Sequence, residues 1–170
     1  MTTENLALLG GIFLVILVLA LYIVFWFRDK NKPAASPTAP NQNIINLKLQ
    51  AYERLVILAE RISLQSIINR LPAGDLTVRH MQSIWVENIK QEFDYNLSQQ
   101  IYVSKEVWQA ISNLREQNIF IINQVAQTMP PDQSGNELAR HITELLKAEP
   151  KASLHPVVIE ALNFEARQLL

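Results

Sequence analysis

An uninterrupted apolar run near the start of the chain constrains its fold more than any other feature. Leu6 to Phe27 reads LALLGGIFLVILVLALYIVFWF, which is 22 residues without a charge. A helix rises about 1.5 Å per residue, so a run of this length crosses the hydrocarbon core of a bilayer, which is about 30 Å thick. The sequence therefore predicts a transmembrane helix over residues 6–27, preceded by a short tail of residues 1–5.

The residues that flank this run predict its orientation. Tyr22 and Trp26 lie at its C-terminal end, where aromatic side chains favour the membrane interface. Arg28, Lys30 and Lys32 follow directly, whereas no Lys or Arg precedes the run. Because positive charge favours the cytoplasmic side, we expect the N-terminus outside and the rest of the chain in the cytoplasm. A cleaved signal peptide, the alternative, would need a basic start and a shorter apolar core.

Small residues within the run leave its packing open. Ala7 and Gly11 are four positions apart, a spacing that lets two membrane helices approach closely. The same spacing is frequent by chance in apolar segments, so the alternative is that both residues face lipid. The bilayer itself is the predicted partner of this segment.

Proline marks the start of a second part of the chain. Residues 28–43 combine the three basic residues with PAASPTAPNQN, which is typical of an extended linker without a core. Residues 44–170 then form a separate domain with 12 Lys or Arg, 14 Asp or Glu and a net charge of −2. This balance argues against binding nucleic acid or lying on an anionic bilayer. The chain has no cysteine, which excludes disulfides, cysteine-bound zinc and thiol catalysis.

The apolar residues of this domain recur every three or four positions, and no segment alternates as a strand does. Ser63 and Ser104 are predicted N-caps, because a serine hydroxyl accepts a bond from an unpaired amide at the start of a helix. Proline and glycine turns separate the periodic segments. The sequence therefore predicts an all-α domain, a bundle of five or six helices joined by short connections.

One predicted helix, from about Val78 to Gln100, carries an apolar ridge with a residue every four positions. Its members are Met81, Trp85, Ile89, Phe93, Leu97 and Ile101. Such a ridge packs into the groove of another helix that crosses it. We therefore expect the central helix of the domain here, with its two ends buried against different neighbours.

The longest predicted helix begins after Ser104 and has an apolar seam that Asn118 interrupts. A lone asparagine in such a seam fixes the register or partner number of a coiled coil. The alternative places Asn118 at the edge of the bundle, where it meets water or a backbone group.

One set of residues has the types that bind metal ions. Glu137, His141 and Glu144 share a face of a predicted helix, at spacings of four and three. Di-metal helical bundles instead place Glu and His three apart on each of two helices. The alternative is a solvated face on which Glu137 completes a capping box with Ser134.

Sequence motifs of catalysis are absent from the chain. It has no glycine-rich phosphate loop, nucleophile elbow, dinucleotide fingerprint or HExxH motif. We therefore predict no catalytic residues and no cofactor. A membrane-anchored enzyme or metal protein that uses Glu137, His141 and Glu144 is the alternative function.

Aromatic side chains that the core does not need are candidates for contact with a protein partner, because interface cores are enriched in aromatic residues. Tyr95, Tyr102 and Trp108 are the predicted contacts, and Asn118 joins them if the seam pairs with another chain. The alternative is that each aromatic side chain is simply half-buried in the bundle. A separate partner protein and self-association both stay open.

Two segments of the domain resemble a known family. LQAYERLVILAERIS (Leu49 to Ser63) and EFDYNLSQQIYVSKEVW (Glu92 to Trp108) are similar to segments of an uncharacterised family of small membrane-anchored bacterial proteins, mainly from Bacteroidota. The resemblance covers most of the chain after the linker. It implies one N-terminal span, a linker and a helical domain at the bacterial inner membrane, and it brings no catalytic residues.

Anchor, linker and bundle together predict a single-pass protein of the bacterial inner membrane with residues 28–170 in the cytoplasm. Its helical domain is expected to act as an interaction or scaffold module that docks a partner protein.

Overall fold

Residues 42–170 are the part of the chain that the computed structural model describes, and helices dominate it. Its six α-helices are α1 (Gln42–Ile62), α2 (Leu64–Arg70), α3 (Val78–Tyr95), α4 (Lys105–Gln127), α5 (Gly135–Ala148) and α6 (His155–Arg167). Two 3₁₀ helices, Leu97–Ile101 and Pro150–Ala152, lie in the connections. These residues form no strand, and their one β-type contact is an isolated bridge between Thr77 and Ser134. The prediction of an all-α bundle of five or six helices is confirmed for this part of the chain.

The predictions for the N-terminal part lie outside the described residues. They concern the tail 1–5, the span 6–27, most of the linker 28–43, and the residues Ala7, Gly11, Tyr22, Trp26, Arg28, Lys30 and Lys32. The last two linker residues already belong to α1, which begins at Gln42 rather than at Ile44. Within residues 42–170, no helix is both long enough and apolar enough to cross a membrane.

Serine hydroxyls begin two of the helices as predicted. The Ser63 hydroxyl accepts from the Ser66 amide at 3.3 Å and donates to the Glu60 carbonyl at 2.9 Å, so one residue ends α1 and begins α2. The Ser104 hydroxyl accepts from the Val107 amide at 3.0 Å at the start of α4. Each bond satisfies an amide that has no partner within its own helix.

The core of the described residues is built around α3. This helix packs against α1, α4 and α5, while α1 also packs against α6. The largest fully buried side chains are Trp85, Leu55, Leu58, Ile62, Ile67, Met81, Ile89, Ile111, Leu114, Ile122, Leu138 and Ile142. The Trp85 indole N–H donates to the Leu71 carbonyl at 3.0 Å, so its one polar atom is satisfied inside the core.

The end of α3 differs from the prediction. The helix stops at Tyr95 instead of Gln100, and the Asn96 side-chain amide donates to the Glu92 carbonyl at 2.8 Å. A 3₁₀ helix follows, in which residues three apart share a face, so a spacing of four no longer keeps the ridge on one side. The ridge is therefore buried from Met81 to Phe93 only, and its last two members, Leu97 and Ile101, are exposed.

The start of α5 packs tightly against the connection before α3. The Gly135 amide donates to the Leu76 carbonyl at 2.7 Å, and the Val78 amide donates to the Gln133 carbonyl at 2.8 Å. A Cβ atom added at Gly135 would lie 2.5 Å from Met81 Cγ and 3.0 Å from Ala73 Cβ. Only glycine fits this approach without displacing the core.

Replacing Gly135 by alanine is expected to lower the free energy of unfolding by about 1–3 kcal/mol, the usual cost of an overpacked core. The measurement is urea denaturation of the full chain in mild detergent, followed by circular dichroism. Asp132→Ala, at an exposed position of the same connection, is the control and should change stability by less than about 0.5 kcal/mol. Equal stability of Gly135→Ala and the wild type would show that Met81 moves aside without cost.

Candidate docking surface

The last residue of α3 and the connection to α4 expose four large apolar or aromatic side chains. Tyr95, Leu97, Ile101 and Tyr102 are exposed by 76%, 41%, 75% and 36%. Two polar residues of the same segment, Asn96 and Gln99, are buried instead. A segment that buries its amides and exposes its aromatic and aliphatic side chains reverses the usual distribution. Such a reversal is typical of a surface that binds another molecule.

Hydrogen bonds explain why the polar residues turn inward. The buried Asn96 side chain satisfies the Glu92 carbonyl at the end of α3, at 2.8 Å. The Gln99 side chain donates to the Ser98 hydroxyl at 3.2 Å. Asn96 and Gln99 are three positions apart and therefore share the buried face of the 3₁₀ helix, which leaves Leu97 and Ile101 on its exposed faces.

One side of α1 lies next to this segment and adds to the same surface. The Arg54 guanidinium lies 5.5 Å from the centre of the Tyr95 ring, within the range of a cation–π contact. Beside it, a groove of about 310 Å³ runs between α1 and α3. The Arg61 Nε donates to Glu92 Oε1 at 2.8 Å at this groove, and this bond raises the pKa of Arg61. We call Arg54, Tyr95, Leu97, Ile101 and Tyr102 the Tyr95 surface.

The other two predicted contact residues are less exposed, and only Asn118 is fully buried. Trp108 is half-buried and packs against Phe93, with ring centroids 5.2 Å apart, while Arg115 lies 4.3 Å from the Phe93 ring centre. Asn118 is 1% exposed and donates to the Ile62 carbonyl at 2.8 Å. Asn118 thus bonds a backbone group at the end of α1, in the core rather than at the edge of the bundle. A partner does not reach it in the folded domain.

The three predicted metal-ligand residues are bonded to neighbours on α5. Glu137 and Glu144 both pair with Arg140, at 2.5 Å and 2.9 Å, and the Arg140 bond holds the pKa of Glu137 below its usual value. His141 Nδ1 lies 2.8 Å from the Glu137 carbonyl oxygen. The Ser134 hydroxyl caps α5 through Asn136, but the predicted reciprocal bond from Glu137 is replaced by its pair with Arg140. Residues 42–170 contain no set of three His, Cys, Asp or Glu side chains placed to hold a metal ion.

A part-buried polar network that sequence reasoning missed joins three helices. The Tyr52 hydroxyl of α1 donates to Glu165 Oε2 of α6 at 2.7 Å. The Ser104 hydroxyl, already the cap of α4, donates to Glu165 Oε1 at 2.6 Å. Burial and the bond to Glu165 raise the pKa of Tyr52 to about 12. No local signal identifies the network, because its members lie 61 and 113 positions from Glu165.

The described residues define an all-α bundle with an uncovered aromatic face. The chain belongs to a family described as Family of unknown function (DUF7935), whose model matches residues 3–169. The resemblance to an uncharacterised family is confirmed to this extent. No curated protein and no solved structure matches the chain.

Proposed function

We propose that this protein is a membrane-anchored interaction module that docks a partner protein through the Tyr95 surface. The proposed setting is the bacterial inner membrane, in a cell of the Bacteroidota, with the N-terminus outside and residues 28–170 cytoplasmic. The apolar run of residues 6–27 supports the anchor, and the basic residues that follow it support the orientation.

The reversed polarity of residues 95–102 carries this proposal. The exposed parts of aromatic and large aliphatic side chains bury no apolar area in the bundle, whereas such side chains provide most of the binding energy when a partner covers them. The stacked Arg54 adds a charged group with a large flat face, a type that is enriched at binding hot spots. A partner with an apolar patch of its own fits this surface.

Site-specific photo-crosslinking in intact membranes tests the proposal. A photoreactive aromatic residue at Tyr95 or Ile101 should give one discrete adduct, because both side chains are more than 70% exposed on the same segment. Phe120 of α4, which is 61% exposed, is the matched control position and should give none. Adducts of the same size and yield from all three positions, or none from the first two, would contradict the proposal.

Substitution at the same positions measures the energy of the contact. Ile101→Asp should weaken partner capture at least about tenfold, because it places a charge in an apolar contact worth about 2 kcal/mol or more. Phe120→Asp should leave capture within about twofold, as expected for a residue outside the interface. Both positions are exposed, so neither change is expected to unfold the domain.

A further inference from the structure

A second groove lies between α1 and α6, and Ile57 lines both it and the groove beside the Tyr95 surface. It encloses about 620 Å³, and its walls include the apolar residues Leu49, Val56 and Ala166. Tyr52 also lines it and is fixed by its bond to Glu165, so this wall is already ordered in the single chain. A preformed wall of this kind lowers the entropy that a binding event costs.

Apolar side chains protrude beside the same groove. Ile57 and Leu170, which both line it, are exposed by 58% and 91%. The groove and the protruding side chains thus lie on one surface. In an isologous interface the same patch of both copies is in contact, so the protruding side chains of one copy can fill the groove of the other.

The groove also carries one charge of each sign, on opposite walls. Glu53 lies on the α1 wall and Arg167 on the α6 wall. Neither side chain makes an ion pair or hydrogen bond within residues 42–170. A wall with one acid opposite a wall with one base is complementary to a copy of itself turned by half a rotation.

We propose that this groove binds the same groove of a second copy of the chain in a two-fold symmetric dimer, with Glu53 of each copy facing Arg167 of the other. The two contacts are identical by symmetry, so both charges of both copies are paired. An apolar small molecule or a lipid tail in the groove would leave all of them unpaired. The dimer goes beyond the docking of a partner, since the two surfaces share no residue.

Charge exchange tests the dimer on the full chain in mild detergent. Glu53→Arg alone and Arg167→Glu alone each place like charges opposite one another twice, which should raise the dimer dissociation constant at least about tenfold. The double variant restores both pairs and should return the constant to within about threefold of the wild type. An equimolar mixture of the two single variants should do the same. In each heterodimer the arginine introduced at position 53 faces the glutamate introduced at position 167, and the two unchanged side chains at these positions face each other.

The measurement is energy transfer between labelled copies, with light scattering for the mass. The chain has no cysteine, so one engineered cysteine at the exposed Asp132 gives one label per copy. Glu160→Arg, an exposed position of α6 that does not line the groove, is the control and should leave the constant unchanged. Recovery in the mixture also shows that both single variants are folded.

Three results would overturn the dimer: a wild type that stays monomeric, a constant that neither single variant changes, or no recovery in the mixture and the double variant. The first result would leave the groove to a different protein or to a small molecule, and the third would show that Glu53 does not face Arg167 of the other copy. Ile101→Asp separates the two proposals, since it should weaken partner capture at least about tenfold and leave the dimer intact. If the dimer is absent but crosslinking from Tyr95 is retained, the dimer proposal fails and the proposed function stands.

Discussion

Replacing Trp85 by alanine is expected to lower the free energy of unfolding by about 3–5 kcal/mol, the usual cost of truncating a buried aromatic side chain. Trp85 is 0% exposed and lies on α3, which contacts three other helices. Its loss leaves a cavity between them and leaves the Leu71 carbonyl without its donor. Domains of this size have about 5–15 kcal/mol of stability, so the variant should lose a large share of it.

Urea denaturation of the full chain in mild detergent, followed by circular dichroism, measures this loss. Trp85→Phe keeps most of the ring volume but removes the N–H donor, and it should cost about 1–3 kcal/mol. Ile84→Ala, at the neighbouring position that is 40% exposed, should cost less than about 1 kcal/mol. Equal losses in the free energy of unfolding for Trp85→Ala and Ile84→Ala would show that the Trp85 side chain is not buried in the core.

The helices were predictable because the signals that form them are local. Apolar spacing of three and four predicted a bundle of five or six helices, and the caps at Ser63 and Ser104 follow from hydroxyls just before apolar segments. Each signal depends on residues within one or two turns of the chain. Packing then needed only to bury the apolar faces that the sequence had already placed on one side.

The end of α3 was not predictable from spacing alone. The ridge from Met81 to Ile101 continues at intervals of four, which favours a continuous helix. The Asn96 side chain instead bonds the Glu92 carbonyl, and the chain tightens into a 3₁₀ turn. Asparagine competes for backbone hydrogen bonds in this way, and neighbouring helices decide whether the competition succeeds.

For the candidate surface, the sequence named Tyr95 and Tyr102 as contact residues but left open whether they point into the bundle or away from it. Both are exposed, and their contact with a partner stays a prediction. The exposure of Leu97 and Ile101 was missed, since it depends on the end of α3. The sequence placed Asn118 in an apolar seam, whereas its partner is the Ile62 carbonyl, 56 positions away. Contacts of this separation depend on how the helices pack and leave no local signal.

Glu165 is the charged side chain that we expect to contribute most to the free energy of unfolding. Glu165→Ala leaves the Tyr52 and Ser104 hydroxyls without their acceptor, and hydrogen bonds to charged groups contribute about 1.5–3 kcal/mol each. Allowing for relaxation, we expect a loss of about 2–4 kcal/mol in the free energy of unfolding. Tyr52→Phe should lose one of the two bonds, and the double variant should cost less than the sum because the residues share that bond. Glu160→Ala, an exposed position on the same helix, is the control and should change stability by less than about 0.5 kcal/mol.

The same network predicts a specific dependence on pH. Burial first, and the Glu165 bond second, raise the pKa of Tyr52 from 10.0 to about 12 in the folded chain. A raised pKa favours the neutral hydroxyl in the fold, so its contribution is complete below pH 10.0 and is lost as the pH rises through about 12. This difference in pKa corresponds to about 2.7 kcal/mol at most. Because water reaches the edge of the network and screens it, we expect about 1–2 kcal/mol.

Comparison with Tyr52→Phe isolates this contribution, because the two proteins differ only in the Tyr52 hydroxyl. The wild type should be the more stable protein at about pH 9, and its advantage should disappear as the pH approaches 12. Absorption of tyrosinate gives a second readout, since ionisation of Tyr52 at its raised pKa of about 12 should occur in the wild type and be missing from the variant. A constant difference in stability across this pH range would show that Tyr52 ionises freely, and that its hydroxyl is not held between α1 and α6 by Glu165.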